Sequence, residues 1–135
     1  MSRRMEIVQP DGWAKPRGYS NGILVEGGRT LYISGQVAFD AKCKMVGVGC
    51  LVTQFEQTLR NIASVVATAG GSLKDVVKMS LFVTDKVAYK AAGKEIGAIY
   101  RAAFGDHYPV MSLFEIADFY DEDVLIEIES IAVLP

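Results

Sequence analysis

Hydrophobic and polar positions alternate in several short stretches of the 135-residue chain and recur at helical spacing in two longer ones. Over residues 30–39, Leu31, Ile33, Gly35, Val37 and Phe39 share one face of an extended chain, with Tyr32, Ser34, Gln36 and Ala38 on the other. Residues 75–84 repeat the period of two, setting Val77, Met79, Leu81 and Val83 opposite Lys78, Ser80 and Thr84. Between these strands, Leu51, Phe55, Leu59, Ile62 and Val66 recur at steps of four or three until Gly70-Gly71, which predicts a helix over 51–69. A second helix is predicted over 86–104, where Tyr89, Ala92, Ile96, Ile99, Ala103 and Phe104 precede the stop at Gly105. Pro109 opens a strand over 110–117, because proline cannot donate to an interior ladder. The acidic stretch 118–123 turns the chain into a last strand over 124–134. At the other end, an extended piece at 6–9 leads into a loop over 11–22 punctuated by Gly12, Pro16, Gly18 and Gly22. A strand over 23–26 follows, and Gly27-Gly28 is predicted to turn it as a hairpin into the next.

The order of three strands, helix, strand, helix and two strands predicts an α+β fold, a mixed sheet with both helices on one face. Residues 1–135 carry no linker or repeat and are expected to form one domain. Counting Gly as apolar and leaving out Tyr, the apolar share is roughly 55%, above the ~45–50% of an average soluble domain. No apolar run reaches the ~18 residues of a membrane span, so the excess is expected at a subunit interface on the helix-free face of the sheet. Residues 1–10 lack the apolar core of a signal peptide, which makes the cytoplasm the expected location. A net charge of −2 offers no electrostatic footprint for nucleic acid or anionic membranes, and neither is expected as a partner.

Candidate chemistry concentrates in a few places. Leu125, Glu127, Glu129, Ile131 and Val133 share one face of the last strand, so two carboxylates stand among aliphatics. Desolvated there, a carboxyl would exchange protons near neutral pH; on a solvated edge it would only keep the strand soluble. Gly35 sits mid-strand in Ser34-Gly35-Gln36, which marks either a bulge or the close approach of a ligand to the backbone. Lys15, Arg17 and Tyr19 lie in the glycine-punctuated loop, where they could face a small anion. Cys43 and Cys50, with the single histidine His107, lack metal-ligand spacing, so no metal site is expected. His107 has no partners for a nucleophile triad and reads as a surface or rim residue.

Four segments in order, Gly18-Tyr19-Ser20, Leu31-Tyr32-Ile33-Ser34-Gly35-Gln36, Phe104-Gly105-Asp106-His107-Tyr108-Pro109 and Ile126-Glu127-Ile128-Glu129 with Ala132-Val133, resemble the Rid (reactive intermediate deaminase, YjgF-like) superfamily. The resemblance implies a chorismate-mutase-like six-stranded sheet with two helices and a homotrimer with ligand clefts at the subunit interfaces. It also implies cofactor-free hydrolysis of small enamines and imines such as 2-aminoacrylate. Residues matching the family's cleft are Tyr19, Ser34, the backbone at Gly35 and Glu127, the glutamate orienting or activating water.

One departure changes that picture. Where the deaminating branch has Pro-x-Arg-Ser, with the arginine gripping the substrate carboxylate, this chain reads Pro109-Val110-Met111-Ser112. Methionine cannot neutralise a carboxylate, and Leu113 stands where that branch often has cysteine, so the cleft is expected to be more apolar. Arg17 or Lys15 would then have to supply any anion contact. The first expectation is a hydrolase for an enamine or imine other than 2-aminoacrylate, of the 2-aminomuconate type for example. The second is a non-catalytic binder of a small metabolite, and the third is the endoribonuclease or translation-inhibitor activity ascribed to some relatives.

Overall fold

The computed structural model describes residues 2–135. Six strands form: β1 (Arg4–Val8), β2 (Gly22–Glu26), β3 (Arg29–Gln36), β4 (Val76–Val83), β5 (Val110–Glu115) and β6 (Ile126–Leu134). They divide between two sheets, correcting the expected single six-stranded one. β1 pairs only with β2, while β3, β6, β4 and β5 follow one another in a four-stranded mixed sheet. β4 and β5 run parallel, and β6 is antiparallel to both of its neighbours. The predicted hairpin is absent, since Gly27-Gly28 is a bend that carries the chain from one sheet to the other. Composition can identify a turn, but which strand satisfies the hydrogen bonds of β2 is a non-local matter, and β1 does so.

α1 (Leu51–Thr68) buries the predicted stripe of Phe55, Leu59, Ile62 and Val66 against the sheet. It stops where expected: Gly70 takes a left-handed φ of 94°, and the Gly71 and Gly70 amides donate to the carbonyls of Val66 and Ala67. The predicted helix over 86–104 is broken at Ala92 into α2 (Lys86–Ala91) and α3 (Gly93–Phe104). One local cap and one contact with the end of β5 fix α2. The Asp85 side chain caps it at the Ala88 amide, and the Lys86 amide donates to Glu115. With α2 so fixed, Gly93 restarts the helix on the line that packs α3 against α1.

Met79, Leu81 and Val83 of β4 meet Ile126, Ile128 and Leu134 of β6 in the core beneath the helices. A register shift between Val76 and Lys78 buries Val76 and leaves Val77 half-exposed, the reverse of the plain alternation. Opposite the helices, Lys78, Ser80 and Glu129 stand beside Tyr32, Phe82, Phe114 and Ile131, so this face is mixed rather than uniformly apolar. Some of the apolar excess lies elsewhere, at the exposed Ile7, Leu24 and Trp13. Among the described residues no helix is long and apolar enough to cross a membrane.

Candidate functional site

Glu127 lies on β6 in register with Phe82 of β4, the parity that turns it away from the helices. On its other side the β3 ladder shifts register between Ile33 and Gln36, leaving Ser34 and Gly35 in a bulge. A Cβ on Gly35 would fall where the Glu127 carboxylate lies, so the glycine lets the carboxylate rest against the bulge backbone. Of the two readings of Gly35 the structure shows the bulge, and the group that approaches its backbone is the chain's own Glu127. The two residues line a cavity of about 470 Å³ with Gln36, Phe39, Asn61 and Asp121. Asn61 of α1 holds its wall by donating to the Val37 and Phe39 carbonyls, at 2.9 and 2.8 Å. Burial raises the Glu127 carboxyl above the ordinary glutamate range, and the negative charges of Glu129 and Asp121 raise it further. Ser34 is exposed and lines the neighbouring hollow with Tyr32, Lys78 and Glu129.

A second group gathers where the glycine loop meets β5. Ser20 ties the loop down: its amide donates to the Pro109 carbonyl at 3.1 Å and its hydroxyl to that of Tyr108 at 2.5 Å. This places Lys15, Arg17 and Tyr19 around one opening with His107 and Tyr108. His107 is half-buried, and its Nε2 donates to the Val76 carbonyl at 2.6 Å, so it acts as a staple between β4 and the segment leading to β5. Met111 is in register with Met79 and faces the helix layer. It lines a cavity of about 330 Å³ beneath α3, which Arg17 and Arg101 also border. Leu113, two residues along β5, is in register with Leu81 and 37% exposed.

Of the proposed site residues, Gly35 and Glu127 share one cavity with Ser34 in the hollow beside it, Arg17 lines both the loop opening with Tyr19 and the cavity with Met111, and Leu113 lines neither of these. Glu127 and Met111 stand on opposite faces of the sheet with β4 between their strands, and they line different cavities. The sequence pattern gave Asn61 and Arg101 no role, and it gave Asp121 only a place in the acidic turn over 118–123. The one available signal for Arg101 was its position on α3, where Gly93, Gly97, Tyr100 and Arg101 recur at i, i+4, i+7 and i+8.

A four-stranded mixed sheet layered with helices, carrying a carboxylate over a glycine bulge and a loop pinned to an edge strand, defines a class of small α+β protein. Comparison with known proteins makes the class specific. The family described as Endoribonuclease L-PSP matches residues 13–134. A RutC family protein of Pyrococcus horikoshii is 33% identical over 128 residues, covering 94% of this chain and 96% of that one. Another, from Sulfurisphaera tokodaii, is 34% identical over 92% and 94% of the two chains. Among solved structures, the conserved Rid-family protein YyfB of Yersinia pestis, of unknown function, superposes with a TM-score of 0.82 at 33% identity over 99% and 100% of the chains. RidA from an Antarctic Psychrobacter gives 0.68 at 30% identity over 96% and 99%. This chain belongs to the Rid/YjgF superfamily, through the family described as Endoribonuclease L-PSP.

Proposed function

We propose that the protein is a homotrimer that hydrolyses a small enamine or imine other than 2-aminoacrylate. Its cleft would form where the Glu127 cavity of one copy meets the Met111 cavity of the next. The observation that carries this reading is the Glu127 carboxyl, held against the Gly35 backbone and biased toward taking a proton. An enamine protonated on carbon gives the imine. Water adds to the C=N carbon while Glu127 takes its proton, and the nitrogen is protonated and leaves as ammonia as the C=O forms. Membership of the superfamily that includes RidA supports the chemistry. Met111 supports the exclusion of 2-aminoacrylate, whose carboxylate would lie unpaired against a thioether.

The test follows keto-acid release from a panel of enamines and imines, including 2-aminoacrylate generated in situ by a serine dehydratase. Glu127→Gln is expected to lower turnover by about 10²-fold. Because the basic form of Glu127 is the one required and its carboxyl is raised, wild-type activity should fall on the acid side with a midpoint above the ordinary glutamate range. Activity unchanged in the variant removes Glu127 from the mechanism. Saturable binding without turnover across the panel replaces the hydrolase by the metabolite binder. Met111→Arg is expected to gain activity on 2-aminoacrylate, and a wild type that already processes it rapidly would refute the role given to Met111.

A further inference from the structure

The turn before β6 carries a side chain that neither the fold nor the hydrolase chemistry uses. Tyr120 is fully exposed there, between Asp118 and the run Asp121, Glu122 and Asp123. None of these four carboxylates is in an ion pair among the described residues. The turn nevertheless has a fixed shape. Asp118 accepts the Phe119 amide at 2.8 Å, and the buried Gln54 side chain holds the Asp123 carbonyl and the Leu125 amide, both at 2.9 Å. Its charge complement lies at the other end of β5. Lys15, Arg17 and Lys74 border the opening of about 750 Å³ beside the glycine loop, and Asp106 is the one carboxylate among its lining residues. None of the three cations is ion-paired among the described residues either. Glu115 and Ile126 are both in register with Val83, so the turn stands where β4 and β5 finish. Ser20 bridges Val110, which puts the opening where β5 begins. The six residues of β5 separate the two by roughly 20 Å. A chain's own turn therefore cannot fill its own opening, whereas that of a second copy can.

We infer that the acidic turn of one copy docks into the basic opening of the next, with Tyr120 seated among Lys15, Arg17 and Lys74 as a wall that the neighbour contributes. Unlike patches meet, so the contact is head-to-tail and repeats around a ring. Opposite unpaired charges steer the two surfaces together and fix their register, and a tyrosine entering a pocket is a common energetic anchor of an interface. The contact rests on the proposed homotrimer only for the presence of a second copy; which surfaces meet follows from their charge and position. Asp121 lines the Glu127 cavity and Arg17 the Met111 cavity, so docking turn to opening brings those two cavities together as well.

Photocrosslinking maps the contact directly. The full-length protein with p-benzoylphenylalanine in place of Tyr120 is expected to join two copies on irradiation. Peptide mass spectrometry should then find the adduct within 15–20, at Lys74 or within 106–108. An adduct elsewhere, or none between copies, would overturn the inference. Sedimentation velocity supplies a second measurement, with circular dichroism to confirm that each variant is folded. Asp121→Lys with Glu122→Lys, and Lys15→Glu with Arg17→Glu, should each weaken assembly by about tenfold or more. All four substitutions in one chain should restore it, because the signs are exchanged together. Tyr120→Ala is expected to weaken assembly by about tenfold. Assembly that ignores either charge reversal, or that the combination fails to restore, refutes the contact. Parallel turnover assays keep the two proposals distinct. The expected adduct in a protein that turns over none of the panel upholds this contact and refutes the hydrolase, whereas Glu127-dependent turnover with the adduct elsewhere does the reverse.

Discussion

At the scale of single residues, Gly35 and Glu127 form one unit across two strands. Their positions were legible as anomalies, a glycine inside a strand and paired carboxylates among aliphatics, but their contact depends on the β3 bulge, which alternation alone does not locate. The contact makes a specific prediction. Gly35 has no left-handed φ, so alanine meets no backbone strain there, and its Cβ collides with the flexible end of Glu127. Gly35→Ala should therefore melt close to the parent in a thermal scan while losing activity on the order of a hundredfold through misplacement of the carboxylate. A large drop in melting temperature would show that the position serves folding instead.

At the scale of elements, α1 depends on a residue that a hydrophobic pattern passes over. Gln54 is fully buried at the first turn of the helix. It donates to the Gly47 and Asp123 carbonyls at 3.1 and 2.9 Å and accepts from the Leu125 amide at 2.9 Å. It thereby joins the start of α1 to the loop before it and to the turn that feeds β6, the strand carrying Glu127. Gln54→Leu keeps the bulk and orphans three backbone groups, so denaturant titration should show a loss of about 3 kcal/mol. The same limit explains the break at Ala92. The apolar spacing of 86–104 suits one helix, whereas the contacts of Asp85 and Glu115 that hold α2 apart from α3 come from a neighbouring loop and another strand.

At the scale of the molecule, the mixed helix-free face bears on assembly. Tyr32 is 78% exposed there, beside Ile131 and above Lys78, so a charge at that position should cost the fold of one chain little. If copies associate through this face, Tyr32→Asp should lower the particle mass by light scattering while far-ultraviolet circular dichroism is retained. An unchanged particle mass in the variant would place any interface elsewhere, with the exposed Ile7 and Leu24 of the two-stranded sheet the next surface to probe.

What the sequence alone determined was local: the apolar stripe of α1 with its glycine stop, the alternation of β3 before its bulge and of β4 after Lys78, the loop over 11–22, and the motifs that place the chain in its superfamily. Periodicity and turn chemistry act over a few residues, so one chain displays them without reference to its partners in space. Only the tertiary structure decided that β2 pairs with β1 and that Gly35 makes room for Glu127. It also put Glu127 and Met111 in separate cavities and brought Arg101 to the opening shared with Arg17. Each of those outcomes joins residues far apart in the chain, and each was settled by strand register and side-chain direction, which no short window of sequence contains.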